Sequence, residues 1–345
     1  MNSFERHIAF LRNYDPTVRR MKKYFFFKNK FEKLLKKINV DLVYFTGPSQ
    51  YSLYLEKTDF IITIPDVSHR ENLEFPEWTK SDTSEFHRRE EIISKSSIKA
   101  IAVITNAEII KEKISYFYKV LKERIYIINH QPSLEISNFK KPDLSVSKEV
   151  KTKYNLPHKY IFYPAMYLPH KNHKYIIDTI KIINAKKNFN LSAVFCGSDK
   201  GYLNKIKKYT SDEGLSDKIY FLGYVDDIHL PYIYLNSLAL TMPTFSGPTN
   251  IPPWEAFKME IPVFYSNLEK IKNVYKEAVY YIDPFEPKSL AEGLIKIINS
   301  NEERIKLTTN GKNLLNSIDG NKEFNQIFEI IQKRQTIKST WKFNN

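Results

Sequence analysis

Glycine is scarce: nine residues in a chain of 345. No two have the spacing of G-x-G-x-x-G, and none opens a G-x-x-x-x-G-K-[ST] loop. Both motifs need glycine where backbone meets phosphate, so a dinucleotide fingerprint and a P-loop are disfavoured. The single cysteine, Cys196, excludes a disulfide framework and a cysteine-based structural zinc site. No two aspartates flank a single residue, so a D-x-D metal clamp is missing. The adjacent pair Asp226-Asp227 reads as a solvated first turn before a helix. No apolar run approaches the roughly 18–20 residues that span a bilayer, and no leader is read at the start of the chain. The expectation is a cytoplasmic protein.

Positive charge is abundant. The chain has 53 Lys and Arg against 39 Asp and Glu, a formal net charge of +14. Much of it is concentrated in residues 1–38, where eleven basic residues face three acids and are interleaved with Tyr24-Phe25-Phe26-Phe27, Phe31, Leu34 and Leu35. A basic aromatic segment of this kind can rest on an anionic membrane surface without crossing it. It can equally be an ordinary helix with its apolar side in a core. Nucleic acid is not expected as a partner, because nothing beyond charge supports it and no base-stacking module is apparent.

The length suggests two domains. Short runs rich in β-branched and aromatic residues (Val40–Thr46, Phe60–Ile64, Ile98–Thr105, Ile125–Asn129) alternate with helix-like segments such as Glu85–Ser94 and Ala107–Tyr118. The polar stretch Pro132–Lys148 is read as the linker. Beyond it, candidate strands are Tyr160–Ala165, Leu191–Cys196, Lys218–Leu222, Leu238–Met242, Pro262–Tyr265 and Ala278–Ile282. Helices Lys174–Ile183 and Pro287–Asn299 lie between them, and an amphipathic helix over Lys322–Lys333 closes the chain. This alternation predicts an α/β protein with parallel, doubly wound sheets: residues 1–145 as one domain, and residues 146–345, with a final crossing helix, as the second. Two such domains would face a cleft able to take a ligand.

Three loops after candidate strands carry chemistry. In Tyr163–His173, Asn172 can cap a helix, so Lys171 sits beside a helix N-terminus. A second positive charge there is unfavourable unless an anion is present. His170 and His173 have no third ligand at useful spacing, so no metal is expected. In Ser246–Phe257, Pro252 and Pro253 suit the first turn of a helix and leave the amides of Thr249, Asn250 and Ile251 as donors for phosphate. Glu255, one turn later, can accept from the hydroxyls of a ribose or sugar. In Ile64–Arg70, His69 can hydrogen-bond a substrate or polarise a reacting hydroxyl, with Asp66 beside it.

Together these residues resemble the family 4 (group 1) glycosyltransferases, retaining enzymes of the GT-B fold, over about Phe31 to Ile331. Tyr163–His173 is similar to the family's phosphate loop, with Lys171 at its diphosphate lysine. Gly197-Ser198 and Phe221–Val225, including Tyr224 and Val225, are similar to the loops lining the donor and its base. Gly247–Ala256 is similar to the E-x7-E segment, whose ribose-holding second Glu falls on Glu255. Asp66–Arg70 with Phe75-Pro76-Glu77 is similar to a loop of a capsule and O-antigen branch. The sequence departs from the pattern at Gly247, where the first Glu would stand, at Met166, where an arginine is usual, and at Glu260, often glycine; the N-terminal domain reads as abbreviated.

The resemblance implies two Rossmann-like domains and transfer of a sugar from a nucleotide-sugar donor to a glycan acceptor, such as a lipid-linked polysaccharide precursor, with retention of configuration. It implies a hexosyltransferase-type, metal-independent enzyme without a cofactor, peripheral on the inner face of the cell membrane. His69 and Asp66 are the expected catalytic residues; Lys171, Gly197, Ser198, Tyr224, Val225, Thr249, Asn250, Ile251 and Glu255 are the expected donor contacts. The departures support a different reading: a degenerate, non-catalytic relative that binds a nucleotide sugar, a glycan or a partner enzyme.

Overall fold

A computed structural model describes residues 30–79, 85–247, 250–318 and 320–341. The described chain forms two compact units: residues 30–70, 85–128 and 328–341 make the first, and the remainder make the second. Most of the expected membrane-facing segment, residues 1–29, lies outside the described residues, as does Thr249. The remainder of that segment is a helix over residues 30–37, with Leu35 buried and Leu34 and the following Ile38 exposed.

The first unit is built on four parallel strands in the order β1-β2-β3-β4: Leu42–Phe45, Asp59–Thr63, Ala102–Thr105 and Ile125–Ile127. The middle strands read as continuous apolar runs because both of their faces are covered: Phe60, Ile61, Ile62 and all of β3 are buried. Register pairs Ile61 with Ala102 and Val103 with Ile125. The expected strand Ile98–Thr105 is shortened. Ile92, Ile93, Ser96 and Ser97 keep one helical face inward, so the helix Glu85–Lys99 runs on through Ile98. Glu32 Oε1 accepts the backbone N–H groups of Glu56, Lys57 and Thr58 at 2.9, 2.6 and 2.8 Å, tying the first helix to the turn ahead of β2.

The second unit holds six parallel strands in the order β10-β9-β8-β5-β6-β7: Tyr160–Pro164 (β5), Ser192–Cys196 (β6), Ile219–Phe221 (β7), Ala239–Met242 (β8), Val263–Ser266 (β9) and Tyr280–Ile282 (β10). All six coincide with expected strands. The core is strongly aromatic, with Tyr160, Phe162, Tyr163, Phe195, Trp254, Phe264 and Tyr265 enclosed. The helix His173–Asn184 turns Ile176, Ile177, Ile180 and Ile183 inward.

The expected linker is not extended. It contains the helices Leu134–Asn138 and Leu144–Lys153, and residue 145 falls inside the second of them. Asp143 caps that helix by accepting from the N–H groups of Ser145 and Val146 at 2.7 and 3.4 Å. Ile136 and Val150, isolated in a polar stretch, are fully buried in the second unit's core. The last helix, Gly320–Ser339, is longer than expected. Its Arg334 and Lys338 meet Asp59 of β2 at 2.7 and 2.8 Å.

Candidate functional site

In an open parallel sheet, a ligand crevice forms beyond the carboxyl ends of the strands where the strand order reverses. In the second unit the reversal falls between β5 and β8: β6 and β7 extend to one side, β9 and β10 to the other. The segments after β5 and β8 must therefore meet. The N–H of Phe245 and the hydroxyl of Thr244 both donate to the His170 carbonyl, at 2.9 and 3.2 Å.

After β5 the chain makes a short 3-10 turn over Pro169–Lys171. The Tyr163 hydroxyl holds this turn from below by donating to the Lys171 carbonyl at 2.8 Å. Lys171 is half-buried, two residues ahead of the first residue of the helix His173–Asn184, where unpaired N–H groups and the helix dipole favour an anion. Asn172 stands at the N-cap position with φ +59°, but its side chain makes no cap bond and donates to the Pro284 carbonyl at 3.0 Å. The expected side-chain cap is thus replaced by a tie between loops. His173 is enclosed by Tyr163, Tyr167 and Phe195. Burial, with the neighbouring Lys171 charge, lowers its pKa to about 3.

Gly197 and Ser198 follow β6 and lock to this segment. The N–H of Tyr167 donates to the Ser198 carbonyl at 3.1 Å, and the N–H of Gly197 donates to the Gly223 carbonyl at 3.0 Å. The approach needs glycine: with φ +150°, a Cβ at 197 would stand 2.6 Å from the Ala165 carbonyl carbon. Of the two candidates after β7, Tyr224 is 79% exposed and Val225 is buried.

The segment after β8 differs from expectation. Ile251 opens the helix Ile251–Lys258, with the prolines in its first turn as read. The Asn250 amide, however, is engaged: its N–H donates to the Tyr275 hydroxyl at 3.2 Å, and its side chain donates to the Tyr265 hydroxyl. Asn250 therefore anchors the loop rather than offering a free donor, and the Ile251 amide is the remaining described member of the expected set. Glu255 is buried. Its Oε2 accepts from the Tyr234 hydroxyl at 2.8 Å and its Oε1 from the Ser133 N–H at 3.4 Å, about half of a carboxylate's acceptor capacity. Burial, reinforced by the Glu255 charge, pushes the neighbouring Cys196 thiol up to about 12.

In the first unit, of the expected catalytic pair, His69 is enclosed and Asp66 is half-buried. His69 has no exposed surface, and its Nε2 lies 3.1 Å from Glu90 and 3.2 Å from the Tyr118 hydroxyl. Burial lowers its pKa, with the Arg89 charge adding, so the ring is neutral near pH 7. Asp66 accepts the Ser68 N–H at 2.9 Å and pairs with Arg89 at 2.8 Å. Burial opposes ionisation of Asp66, but Arg89 and the Ser68 N–H outweigh it and hold the carboxyl below its usual range. The two side chains are engaged in fixing the turn leading into Ser68–Glu71.

Sequence reasoning missed a further pair. Residues 71–79 belong to the second unit, although they follow β2 of the first in sequence. There Glu77 hydrogen-bonds His170 Nδ1, Asn72 Nδ2 donates to Ser246 Oγ at 3.0 Å, and Phe75 packs on Phe245 with ring centroids 5.7 Å apart. The short Phe75-Pro76-Glu77 run was the only signal. Among the described residues, no group of three or more His, Cys, Asp or Glu is arranged to hold a metal ion, and no helix is long and apolar enough to cross a membrane.

Residues 147–314 match the family described as Glycosyl transferases group 1. Over 153 residues the chain is 22% identical to the O-antigen chain mannosyltransferase B of Escherichia coli, a stretch covering 44% of this chain and 40% of that protein. The fold is similar to that of sucrose-phosphate synthase from Thermosynechococcus elongatus, with TM-score 0.73 and 15% identity over 94% of this chain and 81% of that one. It is likewise similar to Anabaena Alr3699/HepE in complex with UDP and glucose, with TM-score 0.70 and 15% identity over 88% and 81% of the two chains. WaaG, a glycosyltransferase involved in lipopolysaccharide biosynthesis, gives TM-score 0.68 and 15% identity over 89% and 81%. With its two parallel sheets, the chain has the GT-B fold of two Rossmann-like units, and its residues 147–314 match the group 1 glycosyl transferases.

Proposed function

We infer that this protein transfers a sugar from a nucleotide-sugar donor to a glycan acceptor, with retention of configuration and without a metal. The observation carrying the inference is the meeting of the β5 and β8 segments at the reversal point of the six-stranded sheet, with Lys171 beside a helix N-terminus. That arrangement suits a diphosphate. Lys171, the first-turn amides of the helix His173–Asn184 and the Ile251 amide would stabilise the charge that develops on the leaving diphosphate. With positive charge supplied in this way, the reaction needs no metal, and the leaving phosphate can take the acceptor proton. Gly197, Ser198, Tyr224 and Val225 would line the sugar and base. Glu255 keeps acceptor capacity for ribose hydroxyls, and Thr249 stays in the proposed donor set. The UDP-containing Anabaena structures support a nucleotide-sugar donor, and the O-antigen and lipopolysaccharide relatives support a lipid-linked glycan acceptor.

His69 and Asp66 are proposed to shape the acceptor-side turn of the first unit through Glu90, Tyr118 and Arg89, not to exchange protons with substrate. Work at an anionic membrane surface, on its cytoplasmic side, is proposed with the charge of residues 1–38 as its support. One observation favours the second reading, binding without transfer: Gly247 has φ +100° with a notional Cβ 3.0 Å from Asn250 Nδ2, so the loop disfavours the glutamate of the family pattern. A panel of UDP-, GDP- and CDP-sugars incubated with purified protein tests both. Binding accompanied by slow donor hydrolysis supports a transferase, and NMR of the first-formed anomer reads retention. Tight binding with no turnover, even when glycan acceptors are added, supports the second reading. Absence of any nucleotide-sugar binding overturns the transferase reading and confines the second to a glycan or a partner enzyme.

A further inference from the structure

The segment 71–79 reaches both sides of the candidate donor site. Asn72 holds Ser246 and Phe75 packs on Phe245, both after β8, while Glu77 and Trp78 hold His170, after β5. The grip on His170 has several parts. Glu77 Oε1 accepts from the His170 N–H at 3.4 Å as well as bonding Nδ1. The Trp78 ring stacks on the imidazole with an interplanar angle of 22°, and Phe75 meets it edge-on. The His170 carbonyl is fixed from the other side by Thr244 and Phe245. Lys171 is the next residue.

The fold alone does not call for a carboxylate at position 77. Its helix, Pro76–Thr79, is a single turn, and Glu77 Oε2 is buried without a hydrogen-bond partner, an unfavourable placement. Burial raises the Glu77 pKa, yet the His170 hydrogen bonds outweigh it and keep the carboxyl below its usual range. We propose that Glu77 is a positioning residue for the donor diphosphate: by clamping His170 it sets the Pro169–Lys171 turn, and with it the direction of Lys171. This rests on the donor-site reading above.

The test is isothermal titration of the full chain with UDP, GDP and ADP, followed by a double-mutant cycle using whichever binds best. Lys171→Ala should weaken binding at least about tenfold, as expected for a lost charge-assisted bond. Glu77→Ala should weaken it by about tenfold, while Glu77→Gln, which keeps an acceptor oxygen for Nδ1, stays within about threefold of the parent. If Glu77 acts through Lys171, adding Glu77→Ala to Lys171→Ala costs little more. Thermal melts of every variant accompany the titrations, so a loss of binding is counted only for folded protein, and the milder Glu77→Gln keeps the comparison readable if Glu77→Ala unfolds. Parent-like binding by Glu77→Ala, or full additivity in the double variant, overturns the inference while leaving the donor site standing. An undiminished Lys171→Ala, or a parent protein that binds none of the three diphosphates, overturns the donor-site reading and the inference with it.

Discussion

The turn Pro169–Lys171 in the second unit and the turn Ile64–Arg70 in the first look alike in sequence: each follows an apolar strand and offers histidine next to a basic residue. They end in different conditions. Around Pro169–Lys171 the backbone is fixed through Tyr163, Thr244 and Phe245 and the His170 ring by Glu77 and Trp78, yet nearby side chains such as Met166, Tyr224 and Ile251 stay exposed. Around Ile64–Arg70 the side chains do the fixing: Asp66 with Arg89, and His69 and Arg70 with Glu90 and Tyr118. A site able to receive a ligand combines a locked backbone with side chains left exposed around it. The second unit meets that description and the first-unit turn does not.

The largest expected effects fall where the backbone lock is broken. Gly197→Ala puts a methyl group against the Ala165 carbonyl at a φ of +150°, so the β5 and β6 segments must separate. We expect a loss of about 3 kcal/mol, read by urea denaturation, together with loss of nucleoside diphosphate binding. Lys171→Ala should weaken diphosphate binding about 10- to 150-fold, corresponding to about 1.5–3 kcal/mol for a hydrogen bond to a charged group. A stability loss for Lys171→Ala, with affinity unchanged, would dissolve the contrast between the two turns.

The pH dependence sharpens it further. His173 is held neutral, with its pKa lowered to about 3 by burial and by Lys171. Between about 3 and its ordinary value near 6.5 the unfolded chain binds a proton that the folded chain refuses, so stability is full above about 6.5 and falls as pH drops. The slope should approach about 1.4 kcal/mol per pH unit from this one residue. His69, also lowered by burial, adds in the same direction. Urea midpoints measured from pH 7.5 to 4.5 should show the decline, and His173→Phe should flatten it. A slope identical in that variant would remove His173 as its source.

Why some of these features were legible in the sequence and others were not follows from what sequence can carry. The six strands of the second unit were legible because buried parallel strands are short apolar runs separated by amphipathic helices. Lys171 was legible because a lysine beside a helix N-terminus is a local contradiction. The enclosure of His69 was not, since Glu90 and Tyr118 lie 21 and 49 residues away and nothing local announces them. Glu77–His170 spans 93 residues and escaped for the same reason. The linker failed differently: Asp143 reads as a polar loop residue until its neighbours' N–H groups turn toward it, and Ile136 and Val150 are too sparse to mark a core.

The smallest expected effect on ligand binding is also the most direct challenge to the comparison. His69→Gln keeps a polar group that can reach Glu90 or the Tyr118 hydroxyl, but loses the ring that packs on Phe86 at 5.6 Å. Because the residue is fully buried, the variant should lose about 1–2 kcal/mol in urea denaturation. Diphosphate affinity should stay within about twofold of the parent, less than the 1.4 kcal/mol that makes a factor of ten. Glu90→Gln should resemble it, since Arg70 and His69 lean on the same carboxylate. The decisive comparison is transfer activity against stability across both variants. If activity falls only in proportion to the folded fraction, the first-unit turn is a structural brace. If His69→Gln abolishes transfer with its fold and nucleotide binding intact, His69 reaches the substrate, and the contrast drawn between the two turns is wrong.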